Sequence, residues 1–195
     1  MGAPGCDSGQ TSESTPEAGT KHEARTILGY RKFLILVAIA LAVAVPDQMT
    51  KALVAAYIPL HSGFEVIPGY LDVVHVRNPG AAFGMMADSH SWFRILFFPL
   101  VSVAAIAVIL WITITTAVIP LDLLVGYGLF LGGIVGNLVD RARFFAVIDF
   151  IDVHIGALHW PAFNVADSAL CVGTALFFYH FLLRKPSPPS RRTMS

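Results

Sequence analysis

At 195 residues the chain is one domain's worth of sequence. It is 55% hydrophobic and 13% charged, about half the ~25% charged share of a soluble domain, with a mean hydropathy of +0.68. This excludes a soluble metalloenzyme and describes an integral membrane protein. Formal net charge is zero, and the basic residues gather at the two ends, where they read as topology signals rather than as a nucleic-acid surface.

Residues 1–27 are rich in Gly, Ser, Thr, Pro and Glu, so a disordered cytoplasmic tail is expected there. No apolar signal-peptide core opens the chain. Cys6 has no apolar stretch before it, and MGAPGC lacks the Ser or Thr of a myristoylation signal. Cys171 lies in the last apolar run, so a structural disulfide with Cys6 is not expected. Lys21, Arg25, Arg31 and Lys32 precede the first apolar run, and Arg184, Lys185, Arg191 and Arg192 follow the last. Basic flanks mark cytoplasmic ends. Both termini are therefore expected in the cytoplasm, with 186–195 a basic tail and an even number of crossings between.

Residues 28–185 form the expected membrane domain, with apolar segments at 33–46, 95–119, 123–139 and 169–183. A spanning helix needs roughly 20 residues, which only the second segment supplies unaided. The first and last must take in Asp47 and Asp167, and the third must reach Asn137 and the edge of Asp140. With the first helix leaving the cytoplasm at Lys32, these polar groups fall near the outer ends of their helices, at one depth. Gly128, Gly132 and Gly136 repeat every fourth residue, a stripe that permits close helix contact. The loop of about 57–92 is too long for a simple connector. Within it Phe64–Ile67 and Tyr70–Val76 read as strands around Pro68-Gly69, a type II turn pair. Strand edges do not face lipid, so this piece should rest at the interface. The expected fold class is an all-α membrane protein: four transmembrane helices with a small extracytoplasmic β-hairpin or sheet.

A carboxylate near hydrocarbon is costly and marks function. In GNLVDR, Asn137, Asp140 and Arg141 share a helix face at i, i+3 and i+4, and Asn164, Asp167 and Ser168 repeat that spacing in FNVADS. Arg141 is placed to pair with Asp140; a helix cap with an ion pair is the plain alternative for such a motif. In DQMTK, Asp47 and Lys51 at i and i+4 suit a helical ion pair. Asn78 opens a Pro-Gly turn in RNPGAAFG, which turn chemistry alone would explain, and Gly80–Gly84 is small enough for a substrate backbone to approach. Asp149 stands in the apolar FFAVIDFID. Two carboxylates brought together share one proton, one acting as base toward water and the other as acid, with no metal or serine. Asp149 with Asp167 is the leading pair and Asp140 with Asp167 the second. Asp152, His154 and His159 fit no zinc spacing, Ser168 with His159 has no nucleophile elbow, and GGIVGN does not follow a strand as a phosphate loop does. No metal or cofactor is expected.

Taken in order, DQMTK, RNPGAAFG, GGIVGNLVDR, VIDFIDV and PAFNVADS resemble the signature blocks of bacterial lipoprotein signal peptidase (signal peptidase II) over about residues 30–185. The resemblance implies an aspartic endopeptidase of the bacterial cytoplasmic (inner) membrane, with its active site near the outer face. Such an enzyme cleaves diacylglyceryl-modified prolipoproteins before the lipidated lipobox cysteine. It places the catalytic dyad on Asp149 and Asp167. Asp47, Lys51, Asn78, Asn137, Asp140, Arg141 and Asn164 would bind substrate or support the site. Lipid-modified prolipoproteins and membrane lipids are the expected partners of a monomer, with no nucleic acid. Pro79 stands where the family commonly has Thr. The competing readings are a proton-coupled transporter, which would carry polar residues through the whole bilayer depth, and a structural membrane protein whose acids serve only in ion pairs.

Overall fold

The computed structural model describes residues 16–80 and 91–183, with side chains from 29 and from 92 in the two stretches. Among the described residues, four helices are long and apolar enough to cross a membrane: Gly29–Tyr57, Trp92–Thr115, Leu121–Phe144 and Val165–Leu183. In chain order the elements are α1 (Pro16–Tyr57), β1 (Gly63–Ile67), β2 (Leu71–Asn78), α2 (Ser91–Thr115), α3 (Leu121–Phe144), β3 (Val147–Ile155), β4 (Leu158–His159) and α4 (Val165–Phe178). A π-helical turn, Tyr179–Leu183, closes α4.

The helix α1 begins at Pro16, inside the stretch expected to be disordered. PEAGTKHEAR is rich in the Ala, Glu, Lys and Arg that favour helix, and it runs directly into the apolar span. The same helix continues through Pro46 to Tyr57, so Asp47 and Lys51 lie within it rather than beyond it. The basic tail and most of Gly80–Gly84 lie outside the described residues.

The central helix is α3, packed against α1, α4 and α2. Glycine makes this possible. A Cβ at Gly132 would stand 2.6 Å from the Ala40 carbonyl oxygen, and one at Gly133 would stand 2.6 Å from that of Ala166. The expected glycine stripe therefore faces α1, and its neighbour Gly133 opens a second close approach to α4. Leu36, Ala40, Ile109, Leu124 and Leu131 form the buried core between these helices. Much of α2 faces outward instead: Leu100, Trp111 and Ile114 are exposed, as lipid-facing side chains are.

The expected hairpin is half of a larger object. Its turn is as anticipated, with Gly69 at φ 79° and the Tyr70 N–H donating to the Ile67 carbonyl at 3.0 Å. Yet β2 continues to Asn78 and pairs with β3, giving an antiparallel sheet ordered β1-β2-β3-β4. Val147–Ile155 is dense in β-branched and aromatic residues, which reads as apolar connection until its partner strand is in place. Phe145, at φ 56°, ends α3 with its N–H on the Arg141 carbonyl and turns the chain into β3. Val54 of α1 meets Ile148 and Phe150 beneath the sheet, which fixes β3 above the helices.

Candidate active site

Asp149 comes from β3 and Asp167 from the first turn of α4. Both line one cavity of about 690 Å³, together with Asn78, Asn137, Arg141 and the 160–163 segment. Asn164 ties the two carboxylates together. Its side-chain amide donates to Asp149 Oδ1 at 2.7 Å, and its Oδ1 accepts from the Asp167 N–H at 2.9 Å. In return Asp167 Oδ2 accepts from the Asn164 N–H at 3.3 Å. That reciprocal capping box means that the helix-cap reading of FNVADS is correct and that the cap itself aims Asp167. Asn137 donates to Asp167 Oδ1 at 2.8 Å, and Asn78 donates to Asp149 Oδ2 at 3.1 Å.

Asn78 reaches Asp149 because of a bulge. Between Val73 and Val76 β2 carries one residue more than β3 does between Ile151 and Asp149, which sets Asn78, not Arg77, opposite Val147. Residues 147 and 149 share a face by strand alternation. The Asn78 Oδ1 also accepts from the Gly80 N–H at 3.0 Å, so turn formation and carboxylate contact use the two ends of one amide. Burial pushes the Asp149 carboxyl up to about 7 and the Asp167 charge adds to it, against the opposing hydrogen bonds of Asn78 and Asn164 and the charge of Lys51. Asp149 is thus poised to hold a proton near neutrality.

Behind the cavity lies a fully buried polar layer. Lys51, 1% exposed, reaches Asp47 at 2.8 Å and Asp140 at 2.9 Å, and donates to Asn137 Oδ1 at 3.0 Å. Asp47 also accepts from the Ala166 N–H at 2.9 Å, and Asp140 accepts from the Ile148 N–H at 3.1 Å. These two backbone groups adjoin Asp167 and Asp149 in sequence, so the layer holds both segments of the site, the first turn of α4 and β3. Gln48 joins it, donating to Asp140 Oδ1 at 3.0 Å and the Gly136 carbonyl at 3.0 Å. In DQMTK, Gln48 is one of three polar groups, but its i+1 position beside Asp47 names no partner for it in the sequence.

Two expectations change here. Arg141 does not pair with Asp140: its guanidinium lies over the Phe98 ring at 4.8 Å and lines the cavity, because Lys51 occupies Asp140 instead. Asp140 is consumed by Lys51, Gln48 and the Ile148 N–H and does not line the cavity, which disfavours the Asp140–Asp167 pair. Ser168 donates to the Asn164 carbonyl at 3.0 Å, a helix-capping contact, while His159 stands against Asp152. Among the described residues no group of three or more His, Cys, Asp or Glu is arranged to hold a metal ion.

The model of the family described as signal peptidase (SPase) II matches residues 39–183. A lipoprotein signal peptidase of Oleidesulfovibrio alaskensis is 48% identical over 143 residues, 73% of this chain and 90% of the relative. That of Desulforapulum autotrophicum is 46% identical over 139 residues, 71% of this chain and 86% of the relative. A solved structure described as a bacterial membrane enzyme, determined at 1.9 Å, superposes with a TM-score of 0.68 at 31% identity, covering 77% of this chain and 94% of its own.

Proposed function

The chain belongs to the signal peptidase (SPase) II family, and from that premise we propose that Asp149 and Asp167 are its catalytic dyad. The activity is that of an aspartic peptidase removing signal peptides from prolipoproteins, which leaves the transporter and purely structural readings without support. The observation that carries the dyad is the shared cavity: both carboxylates line it, and one asparagine, Asn164, donates to both, to Asp149 from its side-chain amide and to Asp167 from its backbone N–H.

Chemistry follows from the environments. Asp149, raised to about 7, holds the shared proton, and Asp167 takes a proton from water. The hydroxyl oxygen attacks the scissile carbonyl carbon, and the Asp149 proton passes to the carbonyl oxygen. Collapse of the tetrahedral gem-diol breaks the C–N bond: the proton on Asp167 goes to the leaving amine, and one hydroxyl proton returns to Asp149 as the C=O of the product acid re-forms. Arg141 and Asn137 line the same cavity and are placed to steady the substrate backbone and the developing oxyanion. Asp47, Lys51 and Asp140 act beneath them as the frame.

The substrate is a diacylglyceryl-modified prolipoprotein cut before the lipidated cysteine. Its acyl chains, anchored in the outer leaflet, bring the scissile bond to the level of the sheet and the outer helix ends. Both termini face the cytoplasm of a bacterial cell, residues 28–185 form the peptidase domain, and one copy carries the complete site. The test is cleavage of a diacylglyceryl-modified prolipoprotein by purified Asp149→Asn and Asp167→Asn. Both should lose the cleavage band while remaining folded, each with a single cooperative unfolding transition. Cleavage by either variant removes that residue from the dyad.

A further inference from the structure

The sheet face turned away from Asp149 carries a second polar cluster that the peptidase chemistry does not use. His154 of β3 stands directly opposite His159 of β4, and their rings stack with centroids 4.7 Å apart at 15°. Each ring has its own carboxylate. His154 Nε2 lies 3.3 Å from Asp72 Oδ1, and His159 Nδ1 lies 3.0 Å from Asp152 Oδ2. Asp72 and Asp152 are themselves cross-strand partners, a like-charge pairing that is unfavourable unless compensated.

The cluster sits at one end of a strap. Directly after His159, residues Trp160, Pro161, Ala162 and Phe163 line the active-site cavity. The strap is pinned to β3 through the Trp160 N–H on the Val153 carbonyl at 2.8 Å and paired bonds between Ile151 and Phe163 at 2.8 and 3.0 Å. The next residue is Asn164, which donates to both dyad carboxylates, from its side-chain amide and its backbone N–H. With β4 only two residues long, its ladder alone holds this end weakly. We propose that His154 and His159, each with its own carboxylate, are positioning residues that hold the 160–163 strap against the cavity and thereby set substrate affinity.

The charge arithmetic gives this hold a direction. The titratable groups facing the two rings are Asp72 of β2, Asp152 of β3 and, opposite Asp72, Glu65 of β1. A protonated His154 ring neutralises Asp72; a neutral one leaves Asp72 facing Asp152 uncompensated. The Asp72 carboxylate raises His154 above the ordinary imidazole value. A raised histidine stabilises fully below its unfolded value of about 6.5 and loses that contribution as pH climbs through the folded value. The strap is therefore held at mildly acidic pH and loosened above neutrality.

This inference rests on the cavity being the substrate site, so its test has one readout that needs no substrate. In a protein with Trp92→Phe and Trp111→Phe, Trp160 becomes the only tryptophan, and its emission reports the strap. Emission and the KM for a lipid-modified prolipoprotein are followed from about pH 5.5 to 8.5, with and without His154→Gln or, as a second variant, Asp72→Asn. The expected result is an emission change across the imidazole range that either variant abolishes. At low pH each variant should raise KM about two- to fivefold, the effect of losing one partly exposed ion pair, with kcat changed less. Emission that does not respond to pH overturns the latch. An emission response with KM unmoved overturns the strap's role in binding and counts against the cavity as the substrate site. A fall in kcat alone would place the effect on the dyad and also overturn the proposal.

Discussion

Replacing Lys51 with Met tests whether one buried ammonium holds the site together. Met fills a similar volume but leaves Asp47 and Asp140, 0% and 1% exposed, facing each other without their shared cation. Each keeps some donors: Ala166 N–H and Gln48 for Asp47, Ile148 N–H and Gln48 for Asp140. The loss is then two charge-assisted contacts at 2.8 and 2.9 Å, each worth roughly 1.5–3 kcal/mol. This agrees with the ~3–5 kcal/mol expected for breaking a buried pair on one side. Thermal unfolding in detergent micelles should show the loss, and removing one stranded charge with Lys51→Met plus Asp140→Asn should recover part of it. Cleavage of a lipid-modified prolipoprotein should fall about 10- to 100-fold, since Asn137, and through it Asp167, would lose its anchor. A Lys51→Met protein that melts with the parent, and does not respond to the second substitution, would refute the claim that this layer frames the dyad.

Three further outcomes follow from the same geometry. Asp149, raised from about 3.8 to about 7 by burial, binds its proton more tightly folded than unfolded; stability is fully present below the unfolded value and is lost as pH rises through the folded one, by up to about 4 kcal/mol. The parent should therefore lose stability between pH 5 and 8 more steeply than Asp149→Asn, and parallel curves would contradict the raised value. Because Asp149 supplies the proton, cleavage should fall as pH rises through about 7, and Asn78→Ala, which removes a bond favouring the ionised form, should move that limb to higher pH in a kcat profile. Gly132→Val should destabilise by about 1–3 kcal/mol, because its Cβ would meet the Ala40 carbonyl at 2.6 Å, whereas Gly29→Ala, with nothing within 4 Å, should melt with the parent.

Hydropathy located the four apolar segments, and the length needed to span carried three of them through their polar ends, because a helix in lipid satisfies its backbone internally. The first hairpin was equally legible: Pro68-Gly69 demands a local geometry that Gly69 adopts. Val147–Ile155 was not recognised as a strand. An apolar run gains strand identity from its partner, and here that partner is β2, far back in the chain. The site divides along the same line. Its residue types were readable from the five polar blocks, since carboxylates and asparagines beside apolar spans require a reason to be there. Their partners were not.

Local spacing suggested Arg141 for Asp140, but Lys51, 89 positions earlier, takes that place at 2.9 Å. Local rules rank neighbours at i+3 and i+4; in a buried layer the cation that arrives by helix packing wins, because an unpaired charge there costs far more than a surface pair gains. Composition and the order of the polar blocks establish a four-span membrane protein with acids at one depth. Which acids meet in the cavity and which are taken by Lys51 is settled only by long-range packing. That choice depends on the glycine contacts joining α1, α3 and α4 and on the one-residue bulge that turns Asn78 toward Asp149.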